Sequence, residues 1–464
     1  MIDLKEKFFF DREAFESMEI DGDYILYSDK YKRWFKVTNT AKDILEKMDG
    51  QRTVGKIAEE IAHEYEMPAN VVIENVIDFC KLVKKIELAH SEKNKAKPVK
   101  IDTYIRNLYI DVTNACNFSC EFCNKCVVKE NENPNHISKE ELEKFIDKLI
   151  AENRLSYTVV HITGGEPLMH PEIFDILAMI KGKGLYSVMW TNGFFVSEEN
   201  INLIKKYCSG VILPLDSVDK EKNDSCRGEG AYEAFKKAKD LCERNEVIFY
   251  VSSTPTNKNI NHLNEITSFA YDINASGHII NEPIYIRENG DRLDNFFNHD
   301  EAINHNIEKK MYAYSGIRQT WRNNLTKMDN SKVVFGVIPD RFRCINTPYT
   351  IKPKESCGAG INELYISPNG VYPCHMLNFS EFKLGNLNEE LEEFRKVLTT
   401  SLEECKKCVV RMICLGGCRA KAYYDSNDIA GLNVRCKYDK KLFIDIMTMY
   451  NNNVQSFYED KEAK

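Results

Sequence analysis

Sixteen cysteines occur in this 464-residue chain, and they are unevenly spread. Cys116, Cys120, Cys123 and Cys126 crowd into TNACNFSCEFCNKC, and a second group runs from Cys344 to Cys436. In a reducing compartment, clustered cysteines read as metal ligands before they read as disulfides. The spacing Cys116-x3-Cys120-x2-Cys123 gathers three thiolates, enough to hold three irons of a cubane and leave the fourth without a protein ligand. Soft thiolates also suit zinc, so spacing alone leaves both metals open. Further on, GGEP offers two glycines, Gly164 and Gly165, that permit close backbone approach, and a carboxylate, Glu166, able to accept from an ammonium group.

The elements that must position these residues alternate. NLYIDVT, YTVVHITGG, YSVMWTNG, SGVILPLDS and EVIFYVSST read as strands, separated by helical stretches such as KEELEKFIDKLI and GAYEAFKKAKDLCE. Such alternation predicts a parallel α/β barrel or sheet, with reactive loops at the C-terminal ends of its strands. The cysteines follow YIDVT, GGEP follows VVHIT and Asn192 follows YSVMWT, all at such ends. Residues 285–335 are polar and are expected to be helical, and DKKLFIDIMTMYNN reads as a final helix.

Ahead of this series, DYILYSD and RWFKVT alternate as a strand pair. Three amphipathic helices follow, the first capped by Thr38 or Asn39. Together they predict a small winged-helix-like module, followed by a basic linker, SEKNKAKPVK.

The composition is that of a soluble protein, 43% hydrophobic and 29% charged. No apolar run is long enough to span a bilayer, and the N-terminus lacks a signal-peptide core, so a cytoplasmic protein without a membrane partner is expected. The formal net charge of -8 argues against a general nucleic-acid binder.

CNFSCEFC, with Phe122 before its third cysteine, and GGEP together resemble the paired motifs of radical S-adenosylmethionine enzymes. The resemblance implies a partial (β/α)6 barrel and a [4Fe–4S] cluster on Cys116, Cys120 and Cys123. It implies S-adenosylmethionine on the open iron, cleaved by one electron to a 5′-deoxyadenosyl radical. Gly164, Gly165 and Glu166 would then face the methionine moiety, Asn192 would stand near the cofactor, and Arg227 would hold the methionine carboxylate. Arg227 also reads as a solvated arginine at a helix start, and Asn192 as a turn residue. Cys126 is surplus to the triad.

The second group, Cys357, Gly370, Cys374, Cys405-x2-Cys408-x5-Cys414-x3-Cys418 and Cys436, resembles the SPASM domain, which binds two auxiliary [4Fe–4S] clusters. By that resemblance one cluster takes Cys405, Cys408, Cys414 and Cys436. The other takes Cys357, Cys374 and Cys418, with Cys344 as a fourth ligand or the site left open. Gly370 stands one residue closer to Cys374 than is usual in that family. The resemblance thus implies three clusters in all.

The stretch TNTAKDILEKMDG through KLVKKI resembles the PqqD-like domain that binds leader peptides as an added strand. Residues 38–88 carry 7 Lys/Arg and 10 Asp/Glu, a poor surface for a phosphate backbone. The expected organisation is 1–90 leader recognition, 91–104 linker, 105–335 barrel, 336–445 SPASM domain and 446–464 helix end and charged tail. The implied activity is maturation of a ribosomally made precursor peptide by thioether formation, with an external one-electron reductant such as flavodoxin or ferredoxin. Carbon–carbon crosslinking, epimerisation and sulfatase maturation share the architecture, and a purely electron-transferring iron–sulfur protein is the non-enzymatic alternative. Sulfatase maturases have an aspartate base where this chain has His375; His375 or His278 is the expected base here.

Overall fold

The computed structural model describes residues 2–85 (apart from 21, 29 and 32), 88–90, 104–281 (apart from 157), 284–296, short strands at 337–339, 345–347 and 350–351, residues 357–394, and most of 402–444. The N-terminal module begins with β1 (Lys7–Phe9), β2 (Glu16–Ile20), β3 (Asp23–Ser28) and β4 (Arg33–Val37). It continues with α1 (Asn39–Lys47), β5 (Asp49–Thr53), α2 (Val54–Glu64) and α3 (Ala69–Lys85). β2, β3 and β4 form an antiparallel meander, with Leu26 opposite Phe35. Thr38 caps α1 by accepting from the Ala41 amide at 3.2 Å, which satisfies one of the amides a helix start leaves unpaired. Leu26, Phe35, Leu45, Ile57 and Val76 are buried in one core, so strands and helices fold as a unit.

The central body is a parallel sheet built from β6 (Asn107–Asp111), β7 (Val159–Thr163), β8 (Tyr186–Trp190), β9 (Gly210–Pro214), β10 (Phe249–Ser253) and β11 (His278–Ile280). These six strands lie side by side in chain order, as the partial barrel requires. Helices α4 (Lys139–Ala151), α5 (Ile173–Gly182), α6 (Ile201–Tyr207), α7 (Lys220–Arg227), α8 (Ala231–Arg244) and α9 (Leu263–Asp272) connect them. Side chains alternate across each strand. Leu108, Ile110, Val160, Ile162, Val211 and Leu213 pack under the helices in the main core. The intervening residues Tyr109, Asp111, His161, Thr163 and Trp190 are polar or aromatic and share the other, concave face.

The sheet does not end where the barrel was expected to end, at residue 335. β12 (Val337–Pro339) adds parallel to β11. Two further short strands, β13 (Ile345–Thr347) and β14 (Thr350–Ile351), pair with each other, and β14 also pairs with β4 of the N-terminal module. β15 (Glu363–Ser367) adds parallel to β6 on the opposite side, followed by antiparallel β16 (Gly370–Tyr372). The C-terminal cysteine region is therefore seeded within the barrel sheet itself. Short helices α10 (Glu403–Lys406), α11 (Arg411–Cys414) and α12 (Arg419–Ser426) complete it.

The described portion of 285–335 is not helical. Residues 284–296 form a strap with an isolated Ile286–Arg292 bridge and one 3-10 turn, Asp294–Phe296. The rest of that stretch, Cys344, the linker expected at 91–104 apart from Tyr104, most of the expected final helix and the tail lie outside the described residues.

Candidate functional site

The loop after β6 is closed at its base before it presents any cysteine. Val112 accepts from Ile137, Asn114 pairs with Asn135, and the Cys116 amide donates to Val128 at 2.9 Å. Within this enclosure the Cys123 thiol lies in electrostatic range of both Cys120 and Cys116. Burial pushes the Cys116 thiol up to about 11 and the Cys123 thiol to about 12, and raises Cys120 as well. Cys126 is exposed, outside the triad.

Among the described residues, no three His, Cys, Asp or Glu side chains converge on a point as ligands of a single ion do. A cubane carries its irons at its corners, so its ligands surround a space instead. Three coupled thiols on one loop, with no nitrogen or carboxylate donor among them, fit an iron–sulfur cluster of that kind.

Gly164 and Gly165 turn out to serve the cysteine loop directly. A Cβ at Gly164 would stand 2.4 Å from the Thr113 carbonyl oxygen, and one at Gly165 would stand 2.2 Å from that of Ala115. Gly164 also has φ +136°, a conformation L side chains rarely adopt. The Gly165 amide donates to Thr113 and the Glu166 amide to Ala115, at 2.8 and 2.7 Å. The close approach inferred from the sequence is therefore loop against loop.

Glu166 is fully buried. One carboxylate oxygen accepts from the Thr191 hydroxyl at 2.7 Å and the Leu168 amide at 3.1 Å, and the other accepts from the Asn192 amide at 2.7 Å. Burial nevertheless raises its carboxyl to about 7, against the lowering effect of these bonds. Asn192 in turn donates from Nδ2 to Asn117 at 2.7 Å. GGEP, the TNG turn and the cysteine loop thus form one hydrogen-bonded unit at the sheet's C-terminal edge.

Arg227 is neither solvated nor at a helix start. It ends α7, is mostly but not fully enclosed, and pairs with fully buried Asp216 at 2.6 Å, its guanidinium 5.3 Å from the Phe122 ring. The angle of that contact is poor for a hydrogen bond, so charge attraction dominates the pair. Asp216 also accepts from the Thr254 amide at 2.8 Å. The Arg227 carbonyl receives the Cys120 thiol at 3.5 Å, which places this arginine beside the triad.

His278 is a core residue. It is fully buried between the Ser253 and Thr267 hydroxyls at 2.8 and 2.9 Å, and burial lowers it to about 3. With both ring nitrogens engaged by core hydroxyls, it reads as a structural residue and not as the base. His375 is half-buried, with Nδ1 2.8 Å from Glu363 and its ring 4.6 Å from Tyr109. Glu363 pairs with Asn107, at the start of β6. At about 3.3 Å per residue, that level is roughly 13 Å below the strand ends that carry the cysteine loop.

Several residues of the site gave no signal in the sequence. Lys125, between Cys123 and Cys126, is bound by Asp111 at 2.7 Å, the Tyr365 hydroxyl at 2.6 Å and Glu288 at 3.4 Å. Glu288 also receives Asn378, just beyond Cys374, at 2.8 Å. These partners come from separate segments, and no linear motif could reveal them.

In the C-terminal region the Cys374 thiol lies in electrostatic range of Cys418 and Cys357, and all three pack in one cluster with Met376 and Tyr424. The Cys405 thiol is likewise coupled to Cys408 and Cys436. Cys414 closes α11 a short way along the chain. Arg411, on that helix, reaches Glu16 of β2 at 2.7 Å and lies over the Tyr27 ring, fastening the N-terminal module to the second cysteine set.

The family model for the radical SAM superfamily matches residues 110–270, and that for coenzyme PQQ synthesis protein D (PqqD) matches residues 23–88. The antilisterial bacteriocin subtilosin biosynthesis protein AlbA of Bacillus subtilis (strain 168) is 26% identical over 431 residues, 88% of this chain and 89% of that protein. The mycofactocin maturase MftC of Mycolicibacterium smegmatis is 23% identical over 70% of this chain and 81% of its own. Streptococcus suis SuiB bound to S-adenosylmethionine superposes with a TM-score of 0.52 at 14% identity, over 91% of this chain and 98% of SuiB. The structural likeness, which spans 91% of this chain, shows a shared fold.

Proposed function

We propose that this chain is a radical SAM enzyme with a PqqD-like N-terminal domain, and that it matures a ribosomally made precursor peptide by joining a cysteine sulfur to a carbon of the same peptide. The observation that carries the reading is the union, in one chain, of the cysteine loop locked to GGEP and TNG with a module that presents an antiparallel sheet of the kind that receives peptide strands. When bound, a [4Fe–4S] cluster with S-adenosylmethionine supplies one-electron cleavage to a 5′-deoxyadenosyl radical. Cys116, Cys120 and Cys123 would hold that cluster, with Gly164, Gly165, Glu166 and Asn192 fixing the loop around it and Arg227 beside it.

The second cysteine region reads as a SPASM domain holding two auxiliary clusters. Coupling of Cys357, Cys374 and Cys418, and of Cys405, Cys408 and Cys436, supports that grouping, with Cys414 completing the latter and Cys344 as a further ligand of the former. An electron acceptor there suits a net oxidation of the peptide. An external reductant such as flavodoxin or ferredoxin would supply the radical cluster, and a cytoplasmic setting suits both. Among the described residues no helix is long and apolar enough to cross a membrane. His375, oriented by Glu363, is the proton acceptor in this reading for a substrate that reaches down the concave face.

The test is co-production with a short cysteine-bearing peptide encoded beside the enzyme. Loss of the mass of two hydrogens, with a cysteine no longer open to alkylation, supports the thioether. The same loss with every cysteine free points to a carbon–carbon bond. Unchanged mass with solvent deuterium incorporated points to epimerisation, and an untouched peptide overturns the reading.

A further inference from the structure

Two cations outside the recognised motifs grip the backbone of the cysteine loop. The Lys129 ammonium reaches the carbonyl oxygens of Asn117 and Phe118, both at 3.2 Å, that of Cys116 at 3.5 Å, and the Ser119 hydroxyl at 2.9 Å. Arg287, on the strap, donates from Nε to the Cys123 carbonyl and from Nη2 to the Glu121 carbonyl, each at 3.0 Å. One cation thus gathers the first half of the loop and the other the second half. The next strap residue continues the contact: the Glu288 amide donates to Asn124 and its carboxylate receives the Cys126 amide at 3.2 Å.

These two cations differ from their neighbours in what balances them. Arg227 is neutralised by Asp216, and Lys125 by Asp111 and Glu288. The contacts of the Lys129 ammonium and Arg287 guanidinium named above are all to neutral oxygens, so their charge stays available to the cluster site. A thiolate-ligated cluster becomes more negative on reduction, and nearby positive charge favours that state. Carbonyls drawn together by a cation also hold the loop in the shape that aims three thiols at one space.

We infer that Lys129 and Arg287 are positioning residues that hold the cysteine loop in its cluster-binding shape and raise the reduction potential of the radical cluster. The inference rests on the radical SAM reading and is independent of which peptide is modified.

The test uses the full chain, anaerobically reconstituted, in Lys129→Gln, Lys129→Arg, Arg287→Gln and Arg287→Lys forms. Iron content is measured, and the cluster whose electron paramagnetic resonance signal responds to S-adenosylmethionine is titrated redox-wise. Each Gln variant should shift the reduction equilibrium about tenfold toward the oxidised form, about 59 mV for one electron. The charge-conserving variants should stay near wild type. A Gln variant that loses iron while its charge-conserving partner keeps it also supports the inference. Wild-type potential and iron in both Gln variants would overturn it. A wild-type protein with no S-adenosylmethionine-responsive cluster would overturn the radical SAM reading, and this inference with it.

Discussion

The Glu166 carboxylate accepts the main-chain amide of Asn192 at 2.7 Å, while the Asn192 side chain donates to Asn117 on the cysteine loop at the same distance. Loops after three successive strands are thereby tied to one buried acid. Its folded-state value, about 7, is above the ordinary 4.5, so the folded protein keeps this proton longer than the unfolded chain. Stability of the cofactor-free protein should then fall as pH rises from about 4.5 to about 7, by up to about 1.4 kcal/mol per unit. Urea midpoints across that window should show the slope, and Glu166→Gln should flatten it.

The His278 contribution has the opposite sign. Its folded value of about 3 is below the ordinary 6.5, so the unfolded chain takes up a proton that the folded one refuses. This stability is intact above about pH 6.5 and is lost as pH falls toward 3. His278→Gln should reduce the loss of urea resistance on acidification while leaving 5′-deoxyadenosine formation intact, because the residue serves the core alone.

Gly165→Ala tests the seat of the loop. The added methyl would meet the Ala115 carbonyl, a backbone atom that cannot swing aside. Overpacking of this kind costs about 1–3 kcal/mol. A lower melting temperature and loss of iron from the radical cluster are expected. Ala at Gly182, which has open space around it, is the matched control and should change neither.

Cysteine scanning separates the triad from its neighbour. Cys116→Ala, Cys120→Ala and Cys123→Ala should each abolish the S-adenosylmethionine-responsive signal. Cys126→Ala should retain it, since that side chain is exposed outside the coupled group. Iron analysis with the same spectra checks both.

Arg411→Met should loosen the N-terminal module. It removes the partner of Glu16, and such a half-exposed ion pair contributes about 1 kcal/mol or less. Limited proteolysis should release the N-terminal module faster, with 5′-deoxyadenosine formation in the absence of peptide unchanged.

What the sequence disclosed were features carried by local spacing. The Cys-x3-Cys-x2-Cys loop, GGEP after a strand, the alternation of VVHIT-like strands with amphipathic helices, and the Thr38 cap are all written within a few residues. What it hid depends on distant partners. Arg227 read equally as a carboxylate holder and as a solvated arginine, because Asp216, which pairs with its charge, stands beyond the preceding strand end. His278 looked available because the Ser253 and Thr267 hydroxyls that enclose it come from β10 and α9. The strap at 284–296 looked helical because its polar residues carry no local sign that Arg287 and Glu288 would bind the cysteine loop. The two glycines of GGEP were recognised with their need for close approach, but the partner was the chain's own Thr113 and Ala115.

The central claim is that three thiols on the loop after β6 hold a cluster that cleaves S-adenosylmethionine. The direct measurement is 5′-deoxyadenosine released by anaerobically reconstituted protein given S-adenosylmethionine and a strong reductant. The wild-type protein should release it and Cys120→Ala should not. A wild-type protein fully loaded with iron and sulfide that releases none would contradict the account.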